Sequence, residues 1–200
     1  MLIIRKSVIS HLNMRSITKV LILSLLCVLS AGCKEEPDPL QDALGTYILR
    51  GQEGTFRLFC IEKIDSTSFR TEFERRQNVF DLKLQEETRL YNNYVLQRKP
   101  KNAARHWDAM QRTREVMKGL DSLRTVLEGR LDEIAYYDYV FSGRADTDTR
   151  YTEFQDAYAS ISPSLEVISL TLERKDLHKA GGRAIPGYLQ MLGQTSEEDL

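Results

Sequence analysis

From Phe69 onward the apolar residues recur three, four and seven positions apart. Phe69, Phe73, Phe80, Leu84, Tyr91 and Val95 fall on one stripe of a helix turning 100° per residue. Asp65-Ser66-Thr67-Ser68 precedes the stripe and offers several side chains that can cap a helix start. The run reaches Arg98-Lys99-Pro100-Lys101-Asn102, where Pro100 reads as a stop and Asn102 as the cap of a second helix. That helix carries Ala103, Trp107, Met110, Met117, Leu120, Leu127, Leu131 and Ile134. Its apolar side drifts slowly around the axis, as a repeat near 3.5 residues requires, and such a repeat favours left-handed supercoiling.

Two long helices joined by a short turn lie antiparallel, so facing residues have numbers with a constant total. Phe69 with Leu131, Phe73 with Leu127 and Phe80 with Leu120 each total 200. Leu84 with Met117, Tyr91 with Met110 and Tyr94 with Trp107 each total 201. The pattern predicts a hairpin over about 66–134 with helices of ~33 residues, hence ~50 Å long. Charged residues interrupt both stripes. Glu87 and Arg114 also total 201, which predicts a structural pair between the Leu84/Met117 and Tyr91/Met110 layers. Arg76 and Arg124 total 200 and would repel, so both are expected to splay outward toward Glu72 and Glu128, one turn away.

Outside the hairpin the period changes to two. Thr46–Leu49 and Thr55–Ile61 flank Gly51-Gln52-Glu53-Gly54 and read as a β-hairpin with Phe56, Leu58 and Cys60 on one face. After Ala135, Tyr137, Tyr139 and Phe141 alternate with Tyr136, Asp138 and Val140 up to Gly143. Tyr151–Ile161 and Leu165–Leu172 follow, separated by a break at Pro163. The expectation is an α+β fold over residues 45–175: a small antiparallel sheet of four or five strands from which the helical hairpin makes an excursion. Residues 176–200, with Gly181-Gly182 and Pro186-Gly187, read largely as a tail with one helical turn at 188–192.

The first 32 residues stand apart. They hold Arg5, Lys6, Arg15 and Lys19, no acid, and the apolar run Val20–Leu29, which is short of the ~20 residues a spanning helix needs. Met14 is an alternative start to Met1 and would leave a compact basic head. Leu29-Ser30-Ala31-Gly32-Cys33 resembles the lipobox read by the lipoprotein signal peptidase of bacteria, with Ser30 where leucine is commoner. The resemblance covers only this targeting segment. It implies cleavage before Cys33, a diacylglyceryl group on its thiol and acylation of the new amine, so the lipid bilayer is one partner. Two or three acyl chains hold a protein stably on a membrane, whereas one binds marginally.

Residues 33–44 read as a lipidated tether, because charge and proline cannot bury surface. Within them, Lys34-Glu35-Glu36 after the cysteine also resembles a lipoprotein export signal of one Gram-negative phylum. That resemblance implies outer-membrane residence facing outward; a plain tether leaves the periplasmic face equally open. Loss of the signal's four cations takes Lys plus Arg from 28 to 24 against 29 Asp plus Glu, a net charge near −5. Such a balance, with both signs interspersed, argues against nucleic acid as the partner. Cys60 is the one thiol beyond Cys33, so no disulfide framework exists. Without a basic neighbour it reads as a buried apolar residue.

No phosphate loop, nucleophile elbow or paired-cysteine zinc motif is present. His106 and His178 lack a second histidine at metal spacing. Asp146-Thr147-Asp148 lacks the glycine and glutamate of a calcium loop and reads as a polar turn. Tyr136, Tyr137, Tyr139 and Phe141 fit a strand packed on helices better than a ligand platform. These readings predict no catalytic residue, cofactor or metal. The function expected is a non-enzymatic interaction or assembly protein of the cell envelope that reaches a protein partner with its hairpin. A ligand pocket between sheet and helices, enzymatic or not, is one alternative, and an immunity or exclusion lipoprotein another.

Overall fold

The computed structural model describes residues 38–193; the signal segment, Cys33 and Lys34-Glu35-Glu36 lie outside the described residues. The fold is α+β. Helix α1 (Pro39–Leu49) leads into strand β1 (Gly54–Ser68). Helices α2 (Phe69–Leu96) and α3 (Pro100–Val126) form the hairpin. Strands β2 (Ile134–Thr147), β3 (Tyr151–Ile161) and β4 (Val167–Thr171) then complete an antiparallel meander of order β1-β2-β3-β4. Two 3₁₀ turns and the short helix α4 (Tyr188–Met191) end the described chain.

Each face of the sheet contributes to a core. On one, Leu44 of α1 packs with Phe141, Ala157, Ala159 and Ile161, flanked by Leu40, Ile48, Phe56 and Leu58. On the other, Ala135, Tyr136 and Ile168 meet Phe69, Phe73, Phe80, Leu120, Leu127 and Leu131 at the base of the hairpin. Strand β2 feeds both cores, because Tyr136 and Phe141 are both buried yet lie on opposite sides of its pleat. Tyr136 and Phe141 are therefore core on opposite faces, Tyr137 and Tyr139 are half-buried, and the four form no single platform.

Several elements differ from the sequence pattern. Thr46–Leu49 is helical, not a strand, and the N-terminal β-hairpin does not exist. Leu40, Leu44 and Ile48 recur every fourth residue, and burying that stripe on the sheet outweighs the strand preference of Thr46-Tyr47-Ile48. The helix begins at Pro39, so the second half of the expected tether is ordered, with Leu44 fully buried. It ends where Arg50 (φ 48°) and Gly51 (φ 77°) turn left-handed.

Cys60 is exposed, not buried. Bulges in the β1–β2 ladder after Leu58 and after Lys63 each insert one residue. The first moves the inward position from Leu58 to Ile61 and turns Cys60 out. Residues 176–193 are no tail either. Leu177, Ile185, Tyr188 and Leu192 are buried, the last three in the core at the hairpin base. Gly182 lies so close to the Tyr188 ring that a Cβ there would sit 2.5 Å from it.

The hairpin exists, but its helices have 28 and 27 residues instead of ~33, the second ending at Val126, and its register toward the tip is shifted. Pro100 does not end a turn; it occupies the first turn of α3, where a missing N–H costs nothing. Asn102 is inside the helix, and the connection is only Gln97-Arg98-Lys99. The turn centre therefore lies nearer α2, and distal neighbours have lower totals. Tyr91 packs on Trp107, ring centroids 5.7 Å apart, where the pattern predicts Met110. Tyr94 stacks on His106 where the pattern predicts Trp107, so the totals near the tip fall by one to three residues, up to about one helical turn. The shift also separates Glu87 from Arg114: the Glu87 carboxylate meets His106 Nδ1 at 2.6 Å, Arg114 is exposed, and no ion pair joins Glu87 and Arg114 among the described residues.

Candidate functional site

Open surface and concentrated chemistry coincide at two places, the tip of the hairpin and its base. No hairpin residue after Phe80 on α2 or before Val116 on α3 belongs to the core at the base. From Phe80 to Leu96 the hairpin thus extends about 24 Å at 1.5 Å per residue. Met110, Thr113 and Ala103 are the buried residues of α3 along this stretch.

At the tip the tight turn leaves a groove of about 510 Å³ between the helices, lined by Tyr91, Tyr94, Val95, Trp107, Arg98 and Lys99 among others. The aromatic walls are fixed by their neighbours. Tyr94 stacks on His106 at 5.2 Å and 7°, and His106 is held in turn by Glu87. Tyr91 supports Trp107. Apolar surface nevertheless stays in solvent: Trp107 is 46 % exposed, Val95 50 % and Leu96 83 %. Between Thr88 and Trp107 the chain has Arg89, Arg98, Lys99, Lys101 and Arg105 and no acidic residue. Arg89 is tied to Glu86 at 2.6 Å; Arg98 and Lys99 border the groove. Large exposed side chains beside cations of one sign have the composition of a binding surface rather than of an ordinary helix end.

At the base, Glu72 is wholly buried on α2. Its carboxylate accepts from Arg76 Nε at 2.7 Å, from Arg75 Nη1 at 2.6 Å and from the Tyr136 hydroxyl at 2.7 Å. The two terminal nitrogens of Arg76 donate to the carbonyls of Lys179 (2.9 Å) and His178. Arg76 therefore points inward as a strut between α2 and the C-terminal segment, which corrects its expected outward splay; the partner expected for it, Glu72, is the one it has. Arg124 is exposed. Gly181 completes the enclosure, since a Cβ there would lie 2.6 Å from Glu72 Oε1.

Asp138, from the same sheet face as Tyr136, accepts from Ser160 Oγ at 2.6 Å and lies 3.8 Å from His178 Nδ1. Burial pushes the Asp138 carboxyl above its ordinary range, opposed by the Ser160 hydrogen bond and His178. Burial, and then the Arg75 charge, hold the His178 imidazole below its ordinary value. Burial and the neighbouring Glu72 raise the Tyr136 hydroxyl. Aspartate, histidine and serine meet here, but not as a nucleophile and its base. Ser160 is fully buried and gives its proton to Asp138, so its oxygen is not aimed at a substrate.

The sequence singles out Arg76 as a break in the stripe but not the cluster around it. The signal is present: Glu72, Arg75 and Arg76 stand at helical spacings three and four apart, and Arg76 occupies a stripe position between Phe73 and Phe80. Of the pair expected from sequence, Glu87 is in the hairpin wall under the tip, and Arg114 is on its outer surface. Among the described residues no group of three or more metal-ligating side chains converges, and no helix is long and apolar enough to cross a membrane. Compared with protein-family models, with curated proteins and with solved structures, the chain has no match in any of the three.

Proposed function

We propose that this protein is a lipid-anchored envelope protein that docks an acidic segment of a partner protein in the groove at its hairpin tip, without enzymatic activity of its own. One observation carries the reading: a groove walled by Tyr91, Tyr94 and Trp107, bordered by Arg98 and Lys99, at the end of an arm about 24 Å beyond the core. Aromatic anchors in a desolvated groove supply most of the binding energy of such contacts, and surrounding cations steer an acidic partner and fix its orientation. The concave shape favours a polypeptide segment over a bilayer, which is better served by a convex apolar wedge. Anchorage at Cys33 rests on the lipobox resemblance, and outward display on the outer membrane rests on Lys34-Glu35-Glu36.

The test is photo-crosslinking in intact cells from two positions of α2, Leu96 at the tip and Leu82 well below it, both exposed. A discrete protein adduct is expected from position 96 and none from 82, with the crosslinked partner peptide rich in Asp or Glu. Lipid adducts alone at position 96, or the same adduct from both positions, would refute the proposal.

A further inference from the structure

At the base of the hairpin a second cleft, of about 430 Å³, opens between α2 and the C-terminal segment. Arg75, Arg76, Lys83, His178 and Lys179 stand around it, Phe80 lies in its wall, and no acidic side chain lines it. Its volume is within the range of small-ligand pockets.

Lys179 at the edge of this cleft is already paired with Asp176 at 2.8 Å, and His178 lies 3.8 Å from Asp138. Glu72 is one carboxylate between two guanidiniums. All three nitrogens of the Arg76 guanidinium donate to Glu72 or to backbone carbonyls. Arg75 is placed differently. Its Nη1 serves both Glu72 and Tyr136, while its Nε and second terminal nitrogen carry no hydrogen bond among the described residues. Arg75 keeps 29 % of its side chain exposed, in the cleft wall. A guanidinium fixed at one nitrogen and open at the others presents the fork that matches two oxygens of a carboxylate or phosphate. The rest of the lining supplies both further cations and apolar surface, in Val79, Phe80 and Tyr188.

We infer that this cleft is a binding site for a small organic anion, a carboxylate or phosphate ester carried on an apolar body. The oxyanion sits on the open edge of Arg75, and the apolar body lies against Phe80 and Tyr188. The carbonyls of His178 and Lys179 are pinned by Arg76, so the far wall of the cleft is already in place before a ligand arrives. This site is independent of the groove at the tip.

The probe is phenyl phosphate, with benzoate as the carboxylate arm and benzyl alcohol as the uncharged control, followed by amide and Arg Nε shifts in the folded protein. Expected are saturable shifts at Arg75, His178 and Lys179 with Kd of about 1 mM or tighter for at least one anion, and none with benzyl alcohol. Arg75→Met should weaken binding about tenfold, as loss of a charge-assisted forked contact requires. Were that variant unfolded, Arg75→Lys decides in its place: it keeps a charge but loses the fork, and weaker binding is expected. Absence of saturable shifts from both anions, equal shifts from the alcohol, or unchanged affinity in the folded variant would overturn the inference.

Discussion

Replacing Glu72 by glutamine keeps the shape of the side chain and removes its charge. In the native protein that charge is fully buried and faces two guanidiniums and one hydroxyl, all within 2.7 Å. The glutamine amide can still accept at its oxygen, but its NH₂ must point at a donor. Arg76, only 6 % exposed, is then left without an anion. Breaking one side of a buried pair costs about 3–5 kcal/mol, because the remaining charge is desolvated and uncompensated. For a domain of this size that lowers Tm by roughly 6–20 °C, at about 2–4 °C per kcal/mol. Urea unfolding followed by circular dichroism measures it, with Arg70→Ala as control. Arg70 pairs with Asp132 at 2.9 Å on the surface and should leave the midpoint where it is. The double variant Glu72→Gln/Arg76→Met should recover part of the loss, since it removes the orphaned guanidinium as well. A Glu72→Gln midpoint equal to that of the control would mean that the cluster is wet and open, and the account of the base would fail.

The imidazole of His178 should titrate below 6.5 in the folded protein, because burial and Arg75 disfavour its protonated form. The unfolded chain takes that proton first, so its contribution to stability is complete above about pH 6.5 and is lost as pH falls through the lowered value. Asp138, raised by burial, acts in the opposite sense: its ionisation costs stability as pH rises through its folded value. The difference in unfolding free energy between wild type and His178→Gln isolates the histidine, and a difference independent of pH between 7 and 5 (about the range in which histidine titrates) would contradict the reasoning. Cys60 should react with a maleimide in the native protein without denaturant, as an exposed thiol does; protection until unfolding would place it in the core after all. Mass spectrometry of the native N-terminus should find acylated Cys33, and an unmodified N-terminus, or unchanged membrane retention in Cys33→Ser, would remove the anchor from the proposal.

Long periodic segments are the readable part of this chain. The stripe Phe69–Phe73–Phe80 with Leu120–Leu127–Leu131 specifies the hairpin base, and the strand Tyr151–Ile161 appears with the bounds its alternation gives. Context is what the pattern cannot supply. Pro100 is compatible with a helix break or a first helical turn, and taking it as a break moves the register by up to a turn and gives Glu87 the wrong partner. Thr46–Leu49 has strand propensity, yet the spacing of Leu40, Leu44 and Ile48 decides it through burial. Bulges have no signature in an alternating run, so the exposure of Cys60 is hidden. Gly181-Gly182 reads as loop composition, but both residues are where the backbone must approach Glu72 and Tyr188. The aromatic and basic residues of the tip are individually visible in the sequence. Their arrangement as one groove depends on the tight turn at Gln97-Arg98-Lys99.

If the molecule acts through the cations and aromatics of that tip, the most direct test is the yield of the position-96 protein adduct in intact cells, compared between the wild-type tip and Arg98→Glu/Lys99→Glu. Both residues are exposed and outside the core, so the variant should fold with an unchanged midpoint. The adduct should fall about tenfold or more, since reversed charges repel an acidic segment at the edge of its groove. An undiminished adduct from a folded, membrane-anchored variant would contradict a docking role for the tip.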